Sequence, residues 1–243
     1  MTAGGGRLAS ISLCPVKSTA VRDVATARIG RYGVVGDREW MVVDGDGSAI
    51  TARELPALLH VTAGNAVTGA PSGIALRLEA PGLPGLDVSI PPSGDREVRL
   101  FKEDLVARPA GAQADAWLRR AVGREDVSLV WCSRPEERQV AFGDRPTDNA
   151  TFQDESAVSL VTRASVAQLH EWIGDAEPLP LSRFRVNLLV DGFEPFAEDG
   201  WGAVRIGEAE LRVAGPIARC MLTTTDPVTL ARGKEPLRTL ARH

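Results

Sequence analysis

The chain has 243 residues, 44% of them hydrophobic and 25% charged, with a formal net charge of -4 at pH 7. That length can bury a large core in one large domain or two modest ones closely joined. The acidic balance argues against a nucleic acid or an anionic membrane surface as partner, so any anionic ligand must meet cations gathered locally.

Three cysteines, Cys14, Cys132 and Cys220, lie far apart without C-x-x-C spacing, which argues against a zinc or iron–sulfur cluster within this chain and fits a reducing compartment. No apolar run approaches the roughly 20 residues of a membrane helix, and MTAGGGRLAS lacks the apolar core of a signal peptide. The expected location is cytoplasmic.

After a loose end at residues 1–6, LASISLCPV alternates Ile11 and Leu13 with Ser10 and Ser12, the pattern of a half-buried strand. REWMVVDGDGSAIT reads as a hairpin, with a strand ending at Val43, a turn at 44–47 and a return through Ile50. DGDG suggests a calcium loop, but Ala49 and Leu55 stand where an EF-hand needs its glycine and its last acid. From 61 to 109, glycine and proline punctuate short apolar stretches, which predicts small β elements rather than βαβ units.

A helix is predicted over 113–122, with Trp117, Leu118, Ala121 and Val122 on one face and Gly123 as its stop. VSLVWC reads as a strand. Residues 133–156 are polar and irregular, longer than the roughly 12–15 residues of most structureless loops, and suggest a lid or binding loop. AVSLVT is then a strand, ASVAQLHEWIG a helix closed by Gly174, RFRVNLLVDG a strand, and AVRIGEAELRVAG a hairpin turning near Gly207. Short strands outnumber helices, so the fold class is mainly β with a few helices, α+β.

Three stretches combine anion-binding or reactive groups with exposing turns. In CPVKST, Lys17 and Ser18 offer an ammonium, a hydroxyl and loop amides suited to a phosphate, or Lys17 is simply solvated. In VVGDREW, Arg38 at a strand mouth could bind a planar or anionic group, or pair with Asp37 at the surface. RFRVN places Arg183, Arg185 and Asn187 on one side of a strand, as a binding face or a solvated one.

Cys220 follows the Gly215-Pro216 turn and adjoins Arg219, whose charge favours a thiolate. It reads either as a buried apolar thiol or as a group that ligates a soft metal, carries a persulfide or attacks a substrate. Cys14 and Cys132 sit in apolar strand patterns and read as core. His60, His170 and His243 are isolated, and none lies near Cys220 in sequence as a base.

Taken in order, SLCPVKS, GVVGDREWMVVDGDGSAITARELP, RFRVNLLVDG, PFAEDGW, IGEAELRV, ARCMLTTTDP and KEPLRTL resemble the MOSC-domain proteins that carry an N-terminal MOSC β-barrel domain. That family includes the mitochondrial amidoxime-reducing component, its bacterial relatives and the C-terminal domain of molybdenum-cofactor sulfurase. The resemblance implies an N-terminal β-barrel-like domain at 7–130 packed on a MOSC β-barrel domain at 131–243. It implies a molybdenum cofactor, Mo-molybdopterin, whose metal is ligated by the catalytic Cys220. Lys17, Ser18 and Arg38 would hold the pterin phosphate end, Arg185, Asn187 and Arg219 would contact the cofactor, and Ser156 would line the pocket.

Departures from the family are Val186 in place of the usual proline, Ala218 in place of a frequent serine, and no further strand after KEPLRTL, which predicts an open edge in the second barrel. The leading expectation is an oxidoreductase acting on N-hydroxylated small molecules with electrons from a separate donor protein. The donor is expected to be separate because the chain carries neither a ferredoxin cysteine run nor a dinucleotide fingerprint, and no nucleic-acid or membrane partner is expected. The alternatives are a sulfur carrier with a persulfide on Cys220 and a non-catalytic cofactor-binding protein.

Overall fold

The computed structural model describes residues 5–142, 145–174 and 177–243. Short strands dominate, with three α-helices among the described residues, as the α+β reading expects. One four-stranded sheet runs in the order Trp40–Val43, Ser128–Trp131, Glu103–Pro109, Arg96–Leu100. A second runs Leu160–Thr162, Leu188–Asp191, Arg7–Leu13, Arg22–Val24. It joins residues from both ends of the chain: Ile11 pairs with Leu188, and Leu188 lies parallel to Leu160.

The WMVV run shows why this sequence makes a buried strand. Its side chains alternate, so Trp40 and Val42 enter one core with Leu58, Leu76, Leu118 and Leu129, while Met41 and Val43 enter another with Val98, Leu100 and Phe152. Both faces being covered, the strand reads as a continuous apolar run. The turn after it is an aspartate-stabilised reversal: Asp44 Oδ1 accepts from Asp46 N and Ser48 N at 3.0 and 2.9 Å, and Gly47 takes φ 86°. No calcium geometry is needed to explain DGDG.

The helix Ala112–Val122 buries Ala114, Trp117, Leu118 and Val122 and ends at left-handed Gly123. The helix Arg163–Ile173 starts where Thr162 Oγ1 accepts from Ser165 N and ends at left-handed Gly174. The hairpin Ala203–Ile206 with Ala209–Arg212 turns at Gly207.

Two expectations are corrected. Residues 133–156 are not wholly irregular, because Gln139–Phe142 and Arg145–Asn149 pair antiparallel. RFRVN is not a strand: Leu181–Arg183 is one 3-10 turn, Arg185 has φ 55°, and the strand begins at Leu188. The left-handed Arg185 reverses the chain, so the every-second-residue rule fails there. Arg183 instead pairs with Asp226 at 2.7 Å.

Glycine places the loop at 33–37. A Cβ on Gly33, at φ 104°, would sit 2.2 Å from the carbonyl oxygen of Ala157. One on Gly36, at φ 86°, would meet Asn65 Nδ2 at 2.4 Å. Only a residue without a Cβ lets this loop press against the 157 segment and present Asp37 and Arg38.

Candidate functional site

The eight residues that the resemblance points to, Lys17, Ser18, Arg38, Ser156, Arg185, Asn187, Arg219 and Cys220, line one cleft of about 340 Å³, which Arg183 does not. Five cations line it, namely Lys17, Arg38, Arg53, Arg185 and Arg219, against two acids, Asp154 and Glu155. On a chain of net charge -4 this is the local excess that an anionic ligand requires.

Asp37 organises the floor. It is fully buried, and its Oδ1 accepts from Cys14 N at 2.7 Å. Its Oδ2 accepts from Asn187 Nδ2 at 3.0 Å and from Arg38 Nη1. The Asp37–Arg38 pair is therefore internal, not the surface pair that the sequence left open. Burial would lower the Arg38 pKa, but Asp37 and its neighbours raise it, so the guanidinium stays charged. Arg38 Nη2 also donates to the Arg185 carbonyl at 2.9 Å, fixing the left-handed turn. Asn187 spends its amide on Ser12 O, Asp37 and Ser159, and so positions the other groups.

Lys17 is 4% exposed. Its ammonium donates to the Phe152 carbonyl at 2.6 Å and to Asp154 Oδ1. Burial pulls its pKa down, opposed by Asp154 and reinforced by Arg38 and Arg138. Arg185 Nη2 donates to the Cys14 sulfur at 2.6 Å, so this core thiol backs one of the cleft's cations. Ser156 Oγ donates to Val158 O at 2.8 Å.

Cys220 is an exposed free thiol at the start of the single turn Met221–Thr224. The threonines after it explain the turn. Thr223 N and Oγ1 bond the Cys220 carbonyl at 3.1 and 2.9 Å, and Thr224 Oγ1 bonds the Met221 carbonyl. The backbone of Cys220 is thereby fixed at the lining of the cleft. Beside it, Arg219 Nη2 donates to Phe184 O at 2.5 Å, and its buried Nε has no partner. Burial pulls the Arg219 pKa below its ordinary value, with Cys220 and Glu155 opposing.

Among the described residues six non-glycine positions are left-handed, and four of them, Ser18, Arg38, Phe101 and Arg185, line this cleft. Such backbone costs of order 1–3 kcal/mol per residue and persists where surrounding structure over-determines it, commonly at ligand sites. Sequence reasoning missed Asp37 as a hub, Arg53, Asp154 and Arg138. Arg138 is buried and donates to Thr151 O and Gln153 O at 2.5 and 2.7 Å, holding the segment whose Phe152 carbonyl meets Lys17. No local motif marks these residues, because contacts such as Asp37 with Asn187, Asp154 with Lys17 and Arg138 with Gln153 join positions far apart in sequence.

A second cavity of about 640 Å³ adjoins the cleft through Ser156, Ser159, Phe184, Ile217 and Arg219, and is lined mainly by apolar groups such as Leu169, Phe196 and Trp201. Its lining includes no cysteine. No three His, Cys, Asp or Glu converge among the described residues. What the cleft offers is an exposed cysteine among five cations, a setting for an anionic ligand.

Residues 5–125 match the MOSC N-terminal beta barrel domain and residues 147–243 match the MOSC domain. The chain is 32% identical to mitochondrial amidoxime-reducing component 1 of Danio rerio, over 92% of this chain and 69% of that protein. It is 31% identical to mitochondrial amidoxime reducing component 2 of Rattus norvegicus, over 97% and 71% respectively. To the molybdenum cofactor sulfurase of Danio rerio it is 29% identical over 96% of its length, but spans only 30% of that protein. The chain belongs to the MOSC family, with the N-terminal β-barrel domain attached. No helix among the described residues is long and apolar enough to cross a membrane.

Proposed function

We propose that this protein binds a molybdopterin-type cofactor in the cleft and reduces N-hydroxylated small molecules, with electrons from a separate donor protein. The observation that carries this reading is the exposed Cys220 sulfur within a cleft lined by five cations. The residues fit the group. A thiolate is a soft donor suited to a molybdenum centre, and Lys17, Ser18 and Arg38 supply the charge and hydroxyl for a phosphate end. The buried, partnerless Nε of Arg219 is a donor in want of an acceptor.

When bound, such a cofactor supplies two-electron redox chemistry, and the protein supplies orientation and electrostatics. Cys220 would hold the metal through its sulfur, its backbone fixed by Thr223. Arg38 and Arg185, locked by Asp37 and Cys14, would keep positive charge beside the anionic ligand without rearranging. Electrons would come from another protein because the sequence lacks a ferredoxin-type cysteine run and a dinucleotide fingerprint.

Metal and pterin analysis of the wild type beside Cys220→Ala tests the reading. About one molybdenum per chain is expected in the wild type and far less in the variant, given a single protein thiolate ligand. Cofactor-loaded protein that fails on a panel of amidoximes and hydroxylamines with a competent donor would refute the reductase assignment. The exposure of Cys220 also suits a second reading, sulfur transfer through a persulfide. Metal-free protein carrying labile sulfur on Cys220 would favour that one.

A further inference from the structure

Each cleft cation engages acceptors of the protein itself. Arg38 meets Asp37 and the Arg185 carbonyl, Arg53 meets the buried Thr51 hydroxyl, Arg185 meets Cys14, and Arg219 meets the Phe184 carbonyl. These acceptors are backbone carbonyls or buried side chains, and none can leave without dismantling the fold. Lys17 differs. One of its acceptors is the Phe152 carbonyl, but the other is Asp154, whose side chain is 55% exposed on the bend between Gln153 and Ser156.

We infer that Asp154 is a built-in counter-anion, occupying the phosphate subsite at Lys17 until an incoming phosphate monoester displaces it. This rests on the reading of the cleft as an anion site. The reasoning is a comparison of what each partner loses. Asp154 can turn into water at little cost to itself, because its side chain is already 55% exposed. Lys17 cannot: a buried ammonium without a counter-charge is strongly unfavourable. The pair therefore opens only when another anion takes its place, and a neutral ligand cannot drive the exchange.

The same comparison sets the ligand class. A carboxylate brings one negative charge, whereas a phosphate monoester brings about 1.5 to 2 at neutral pH and three acceptor oxygens. With Arg38 and Arg53 also acting on Asp154, the subsite already concentrates more positive charge than one carboxylate neutralises. A phosphate monoester thus wins the exchange where a carboxylate only matches it. Asp154 is in this sense a specificity-determining residue: it raises the threshold of charge that a ligand must carry, and it keeps Lys17 satisfied in the meantime.

Inorganic phosphate is the probe, titrated calorimetrically into cofactor-free full-length protein at fixed ionic strength, with acetate as the monovalent control. Asp154→Asn keeps the size of the side chain and removes its charge. Phosphate is expected to bind this variant on the order of five- to tenfold more tightly than the wild type, with acetate binding newly detectable. Asp154→Ala should behave the same way, and unchanged thermal melts of both variants would show that the fold is intact.

Equal or weaker phosphate binding by both variants overturns the proposal, since Asp154 would then be inert or would support the ligand. Lys17→Met separates that failure from failure of the cleft reading. Loss of phosphate binding in Lys17→Met, with Asp154→Asn no tighter than wild type, leaves the anion site standing and removes only the exchange. No phosphate binding in any of the proteins removes both.

Discussion

Replacing Asp37 tests whether the cleft is held by one buried carboxylate. In Asp37→Asn the amide oxygen can still accept from Cys14 N, but its NH2 then faces Arg38 Nη1 and Asn187 Nδ2, donor against donor. Breaking a buried ion pair from one side costs about 3–5 kcal/mol, mostly the burden of the abandoned charge. For a chain of 243 residues, where each kcal/mol moves the midpoint by about 2–4 °C, the melting temperature should fall by roughly 6–20 °C. Circular dichroism melts of cofactor-free protein measure this without reference to activity. A cycle pairing Asp37→Asn with Asn187→Ala should show non-additivity, because the two share a hydrogen bond. Melting of Asp37→Asn within about 2 °C of wild type would refute the reasoning, as it would place the Arg38 charge on solvent rather than on Asp37.

Thiol chemistry and acid stability give two further expectations. Cys220 is exposed, whereas Cys14 is 1% exposed and burial pushes the Cys132 thiol up to about 12. Iodoacetamide should therefore label one thiol in the native protein and all three after unfolding, and mass spectrometry showing native labelling at Cys14 or Cys132 would contradict the packing. Asp226 accepts from Thr229 N, Val228 N and Arg183, which hold its carboxyl at about 2, against an ordinary 3.8. A lowered folded pKa stabilises above the unfolded value and is lost as pH falls through the folded one. The stability gap between wild type and Asp226→Asn should accordingly be full above about pH 4 and shrink towards pH 2, as followed by urea midpoints; a gap that stays constant across that window would argue against it.

The mainly β fold was legible from short apolar stretches between glycines and prolines, and both longer helices were marked by a closing glycine, the first also by an apolar face. What defeated pattern reading was conformation and distance. Arg185 breaks the two-residue alternation because its backbone is left-handed, a state that nothing in RFRVN announces. Asp37 looked like half of a local pair, since its bonds to Cys14 and Asn187 span 23 and 150 positions. Asp154 and Arg138 act likewise across the chain on groups that only tertiary folding brings near. The candidate site residues were proposed through ordered resemblance over many stretches, because singly each had a bland reading.

The strand Arg7–Leu13 takes one of its neighbours from Leu188–Asp191, with Arg7 and Asp191 separated by 184 positions. At the roughly 5–20 residues per second of synthesis, that edge waits about 10–35 s for its mate to emerge. During translation it is an unclaimed β edge, open to mispairing with another nascent chain. Contacts this remote in sequence also make for slow assembly. Lys17 and Cys220, which line the same cleft, thus come together only after that distant pairing partner has been made, so a nascent chain interrupted before it presents no half-built cleft.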